Sequence, residues 1–419
     1  MTSDAPKEAF VWIWLPEATV PFVAGRIERR DGLYTFNYGR SYLEHPDARA
    51  IFAPELPLRS GIMEPTPPMA MASCLRDGSP DAWGRRVIIN RLTGLAGKAA
   101  RDVEFDELTF MLASGSDRAG ALDFQASPTQ YVARQEAEAR LDQLMAAAEL
   151  VEAGMPLPPA LAQALFHGSS MGGARPKALI TGGDRKMIAK FSASADTYSV
   201  VGAEFVAMRL ARLAGLDVAP VELMTVSGRQ VLLVERFDRR LSAAGWERRG
   251  MVSALTILRL DEMQARYASY GDLADIVRKD FSEPRETLRE LFGRMVFNIL
   301  CGNTDDHSRN HAAFTDRDRL ALTPAYDICP QSRTGREASL AMSIDGQDRR
   351  AQLSVCRTAA ARFQLTDEQA CKIMDDQIAA IRTNWDAVCD EAGLSAVDRA
   401  YLWGRQFLNE YALEGYGRG

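Results

Sequence analysis

The chain has 419 residues, 47% of them hydrophobic, which is enough to fill two or three cores and sets a multidomain globular protein as the expectation. A formal net charge of −6 argues against broad, sequence-blind binding to nucleic acid or to anionic membranes, while leaving room for local basic patches. Six cysteines occur without a CxxC pair, no charged and then apolar leader opens the chain, and no apolar run approaches the roughly 20 residues of a membrane span. A reduced, cytoplasmic setting away from membranes is therefore expected.

From about Phe10 to Leu58, short β-rich runs such as FVWIWL and LYTFNYG alternate with turn residues and predict a small sheet. Between about Pro80 and Glu152 the pattern becomes helical, and LDQLMAAAELVEAG carries apolar residues at helical spacing up to a glycine. MPLPP at 155–159 then breaks the chain, a lobe boundary by composition.

GSSMGGARPKALITGGDRKMIAKF, residues 168–191, reads as a glycine-rich loop followed by a β-hairpin, with Lys190 near the end of the second strand. Backbone N–H groups freed by small residues can cradle phosphate oxygens, and a strand lysine can add a point charge to them. Neither a Walker pattern nor GxGxxG is present, so on this segment alone an ordinary glycine-rich surface turn is the better reading. SVVGAEFVAMRLARLAGLDVAP predicts an amphipathic helix stopped by Gly215, with Glu204 in its first turns. That glutamate can pair with the strand lysine, or simply stand exposed and favour the helix dipole. In QVLLVERFDR, a buried strand over Val231 to Val234 runs into charged residues and can serve as a hinge whose backbone reads adenine.

RETLRELFGRMVFNIL is apolar around most of its circumference and predicts a buried helix, so the polar cluster CGNTDDHSRNH after it sits on a rigidly held loop. Asp305 and Asn310 have the D-x4-N spacing of a kinase catalytic loop, in which the Asp takes the acceptor hydroxyl proton and the Asn coordinates Mg2+. HAAF and LALTP predict a hairpin that returns Asp327, in AYDIC, as a second carboxylate for Mg2+. His307 and His311 could instead hold zinc with Asp305 or Asp306, but that spacing needs a helix where the sequence predicts a strand. A plain solvated turn is the third reading, weakened by the kinase order of all these parts. Beyond Ser354 the chain reads as helical, with a capping box at Thr366 and Gln369 and a helix start at Ser395.

The set S-x-x-G-A-x-x-K (Ser170 to Lys177), IAKF, VERFDR, NTD-x-H-x-x-N and PAYDI resembles the HipA family of bacterial serine/threonine kinase toxins. VWIWLP, YGRSYL and SPDAWGRR extend the resemblance over nearly the whole chain. It implies an α+β, protein kinase-like bilobal fold with an N-terminal β-rich subdomain and a helical C-terminal lobe. The expected divisions are 1–150 (β-rich and helical subdomain), 151–238 (ATP-binding lobe) and 239–419 (helical lobe with the catalytic loop). The implied cofactors are ATP and Mg2+. The implied partners are a HipB-like, DNA-binding antitoxin, with DNA met only through it, and a protein substrate such as an aminoacyl-tRNA synthetase, whose phosphorylation arrests growth.

Residue by residue, the resemblance makes Asp305 the catalytic base and Asn310 and Asp327 the Mg2+ ligands. Ser170, Met171, Gly172, Gly173 and Lys190 would lie at the ATP phosphates, Glu235 and Phe237 at the adenine, and Asp238 near the ribose. Ser170 matches the autophosphorylated serine, with Ser169 one position away. NTD in place of HRD and YDI in place of DFG separate the chain from ordinary protein kinases. A kinase of a small molecule or lipid, and a catalytically silent nucleotide-binding partner protein, are the alternative readings.

Overall fold

The computed structural model describes residues 5–95, 103–134, 140–153, 155, 157–158, 170–171, 173, 175–193 and 196–417. The chain divides into two compact units, one of residues 1–195 and 224–252, the other of residues 196–223 and 253–419.

The first unit holds two four-stranded sheets. In the N-terminal one, β1 (Glu8–Ile13), β2 (Phe22–Arg30), β3 (Leu33–Tyr38) and β4 (Leu122–Gln125) are ordered β3-β2-β1-β4. The runs FVWIWL and LYTFNYG fall on β1 and β3, and β2 completes the expected small sheet between them. The fourth falls in the stretch read as helical; it is only four residues long, and its partner β1 lies more than a hundred positions upstream. The short helices α1 (Arg40–Leu43) and α2 (Ser73–Arg76), then α3 (Ala82–Thr93), α4 (Glu107–Ala113) and α5 (Leu141–Glu152), complete the N-terminal part of this unit.

The second sheet, ordered β5-β6-β8-β7, contains β5 (Lys177–Gly182), β6 (Arg185–Phe191), β7 (Val221–Val226) at the border of the two units, and β8 (Arg229–Glu235). Its core face is set by the two-residue period of strands. Ala178, Met187, Ala189, Phe191, Val231 and Leu233 bury themselves with Trp83 and Val87 of α3 and Leu144, Ala148 and Val151 of α5. Lys190 therefore projects from the opposite face, and the register pairs it directly with Lys177 on one side and Leu232 on the other. A hairpin of β9 (Arg239–Ser242) and β10 (Gly245–Arg248), then the three-residue strand β11 (Met251–Ser253), follow β8.

The second unit is built on helices. It contains α6 (Val200–Leu213), α7 (Ala254–Ile257), α8 (Tyr270–Asp280), α9 (Pro284–Cys301), α10 (Leu353–Ala359), α11 (Asp367–Glu391), α12 (Ala396–Leu402) and α13 (Glu410–Leu413), with one hairpin of β12 (Ala312–Phe314) and β13 (Ala321–Leu322). Leu288, Leu291, Phe292, Met295, Val296, Ile299 and Leu300 of α9 are all buried, as its unbroken apolar surface requires. The capping box of α11 forms as read, the Gln369 N–H donating to Thr366 Oγ1 at 3.2 Å and the Thr366 N–H to Gln369 Oε1 at 2.9 Å. Among the described residues no helix is long and apolar enough to cross a membrane.

Candidate active site

The polar loop 302–311 begins where α9 must stop. Gly302 caps the helix in the left-handed region at φ 73°, and a Cβ there would lie 2.9 Å from the Gln406 carbonyl oxygen, so only glycine fits. Asn303 follows, its side-chain N–H donating to Asn298 Oδ1 at 2.9 Å and to the Asp327 carbonyl at 3.4 Å. The AYDIC segment is fastened from two more directions. Tyr326 donates its hydroxyl to the Arg309 carbonyl at 2.8 Å, and Ala325 exchanges backbone bonds with Asp217 and Ala219 at 2.8 and 2.9 Å. Asp327 itself sits at φ 60°, a conformation costly for a residue other than glycine and common where a site over-determines its backbone.

The two adjacent aspartates have opposite surroundings. Asp305 is exposed, and Asp306 is only 2% exposed. Partial desolvation raises the Asp305 carboxyl above the usual carboxylate range; His307 opposes the rise and the nearby Asp327 carboxylate adds to it. Asp306 accepts from the Tyr270 hydroxyl and lies 3.0 Å from His311 Nε2, which is 3.3 Å from the same hydroxyl. This buried Tyr–Asp–His cluster braces the loop behind Asp305. It also engages His311 Nε2, and no group of three His, Cys, Asp or Glu residues suited to a metal occurs among the described residues. Asn310 is buried, its N–H donating to the His307 carbonyl at 2.8 Å. The first turn of α7 holds the loop as well, through Ala254 N–H to the His311 carbonyl at 2.7 Å and Leu255 N–H to the Ser308 carbonyl at 3.1 Å.

In the first unit, Lys190 is half-buried on β6 and Glu235 and Phe237 are half-buried after β8. Ser170 and Met171 are buried, Gly173 is exposed at φ 103°, and Gly172 and Ser169 lie outside the described residues. Gly173 is favoured by its φ of 103°, a conformation L side chains rarely adopt, and the end of the Lys177 side chain lies where a Cβ would sit. Lys177 was quoted in the sequence motif without a role; the strand register, invisible until pairing is known, puts it beside Lys190. Asp238, expected near a ribose, spends both carboxylate oxygens elsewhere: on Arg236 at 3.0 and 2.9 Å, on Arg239 at 2.9 Å and on the Gly120 N–H at 2.7 Å. Glu204 is buried on α6 in the second unit rather than exposed.

An α+β chain with a lysine-bearing antiparallel sheet in one unit and a braced D-x4-N loop in the other defines the kinase-like class. Models of the HipA N-terminal domain and the HipA-like C-terminal domain match residues 14–125 and 169–385, and the chain belongs to the HipA family. The serine/threonine-protein kinase toxin HipA of Shewanella oneidensis is 29% identical over 164 residues, 34% of this chain and 37% of that protein. Putative kinase Y4mE of Sinorhizobium fredii is 34% identical over 130 residues, 29% of this chain and 30% of that protein. The chain thus spans about a third of the length of these curated relatives. The solved complex of Shewanella oneidensis HipA, HipB and operator DNA contains a chain of the same fold, with a TM-score of 0.67 at 19% identity over 96% of this chain and 99% of that one.

Proposed function

We propose that the chain is an ATP- and Mg2+-dependent serine/threonine protein kinase, acting as the toxin of a toxin–antitoxin pair. The observation that carries this reading is the loop after α9, where a buried Asp306 cluster and the Asn303 clamp hold Asp305 and the Asp327 segment in place. Asp305 would take the acceptor hydroxyl proton. The Asn310 side-chain oxygen and the Asp327 carboxylate would hold Mg2+, which supplies charge neutralisation between nucleotide phosphates. The fit rests on donor chemistry, since carboxylate and amide oxygens suit Mg2+, and Asp327 is close enough to Asp305 to add to the rise of its carboxyl. Lys190, with Lys177 beside it and Gly173 nearby, offers donors for phosphate oxygens, and the backbone of Glu235 to Phe237 offers adenine its polar edge. Asp238 would act by stiffening the segment after β8 instead of touching ribose.

A HipB-like antitoxin is the proposed partner, consistent with the complex in which the structural neighbour was solved, and DNA would be met through it. The protein substrate is proposed to be an aminoacyl-tRNA synthetase. Ser170 is the proposed self-inactivation site; a phosphate there carries about −1.5 to −2 charges and would drive the loop away from bound nucleotide phosphates. The test is phosphoproteomics after brief expression of the parent and of Asp305→Asn. Transfer should fall by a factor of about 10² to 10⁴ in Asp305→Asn with nucleotide binding kept, and Asp306→Asn, which still offers Tyr270 an acceptor, should be milder. Label entering only small molecules or lipids would overturn the protein-kinase reading.

A further inference from the structure

The glycine-rich loop is held from outside its own sheet at two residues, one through its backbone and one through its side chain. The first is Gly173. An N-cap aspartate ordinarily turns its carboxylate onto the N–H groups of its own helix, yet Asp81, the N-cap of α3, makes no such bond. Its Oδ2 accepts the Gly173 N–H at 2.8 Å instead. One residue into the helix, the Trp83 N–H, a donor that α3 itself leaves without an intrahelical partner, donates to the Gly173 carbonyl at 3.2 Å. Both backbone polar groups of Gly173 are thus taken by one helix start. That start is firmly seated, because the Trp83 ring is fully buried and its indole N–H donates to the Lys177 carbonyl at 3.2 Å.

The second position is Ser170. Its hydroxyl donates to the Asp117 carbonyl at 3.1 Å, and the residue is 3% exposed. Asp117 is fixed in turn by Arg236, which reaches its carbonyl at 3.3 Å and its Oδ1 at 2.9 Å.

We propose that Asp81 is a positioning residue for the glycine-rich loop: with the Trp83 N–H and the Asp117 carbonyl it clasps the loop onto the N-terminal part of the chain, a seated state that withholds Ser170 from phosphorylation. A buried hydroxyl whose proton is engaged by a carbonyl is not presented to a phosphoryl donor, so Ser170 is modified only after the clasp opens. This inference rests on the kinase reading for its consequence, and on hydrogen bonding alone for the clasp.

The experiment separates the two. In the nucleotide-free full-length chain, Asp81→Ala should raise amide hydrogen exchange of the Ser170–Lys177 peptide at least roughly tenfold, since the charge-assisted bond to the Gly173 N–H goes with the carboxylate. Asp81→Asn keeps an acceptor oxygen and should stay near the parent, and Gly173→Ala should reproduce the release from the loop side. Exchange over Ala82–Thr93 should not change, since Asp81 makes no cap bond there. On addition of Mg–ATP, phosphate should accumulate on Ser170 faster in Asp81→Ala. Unchanged loop exchange in Asp81→Ala, or an equal rise throughout α3, would overturn the clasp. Faster exchange with no Ser170 phosphate in any variant would uphold the clasp and count against the kinase reading instead.

Discussion

Asp305 and Asp306 are neighbours in sequence, and the fold treats their charges in opposite ways. Asp306 is satisfied by Tyr270 and His311, partners 36 and 5 positions away. Asp305 has its carboxyl raised by desolvation and by Asp327, so the native state binds its proton more tightly than the unfolded chain does. Such a group destabilises the native state at neutral pH, and the penalty disappears as pH falls through the raised pKa towards the ordinary value of about 3.9. Asp305→Asn should therefore melt at a higher temperature than the parent at pH 7, with the gap closing on acidification. A lower melting temperature at pH 7 would show that Asp305 is a stabilising charge. The D-x4-N spacing is legible in the sequence. That Asp305 is exposed and Asp306 buried is not, because the difference depends on Tyr270, supplied by another helix.

At the scale of elements, α9 illustrates what periodicity can and cannot tell. Seven apolar positions covering most of its circumference fix it as a buried helix without any knowledge of its neighbours. Where it ends depends on a neighbour, since Gly302 is held in the left-handed region with the Gln406 backbone packed against it. Gly302→Ala should cost about 1–2 kcal/mol for the backbone conformation alone, and more for displacing Gln406, measured by urea unfolding. A loss below that range would mean that the turn relaxes freely and the catalytic loop is not braced at its start. β4 and the β9–β10 hairpin escaped sequence reading for a related reason. β4 is four residues long and exists through its pairing with β1, while the charged run RRLSAAGWERR has too little alternation to announce two strands.

Across the molecule, charge is distributed to hold long-range connections within each unit. Burial alone would push the Asp117 carboxyl up, but Arg236, Arg239, Arg248 and Lys186 outweigh it and hold the group well below the carboxylate range. Asp238 is depressed in the same way by Arg236 and Arg239. A depressed carboxylate contributes stability that is complete above about pH 3.9 and is lost as pH falls towards the folded-state pKa. The parent should accordingly lose stability steeply below about pH 4, and Asp117→Asn should be weaker at neutral pH with a shallower acid slope. Equal slopes would place the acid sensitivity elsewhere. The fold class and the order of the parts were readable along the chain; the ion network was not, since Asp117 meets Arg236 across 119 positions.

The pairing of Lys177 with Lys190 carries a last consequence. The register sets two lysine positions side by side on one sheet face, and a lysine charge by itself does not tell a spent nucleotide from a fresh one. On the proposed function, the phosphate-holding strands would grip ADP nearly as well as ATP. Turnover would then be paced by release of the spent nucleotide, and a cell's ratio of the two nucleotides would act as a brake on the enzyme without any dedicated regulatory site.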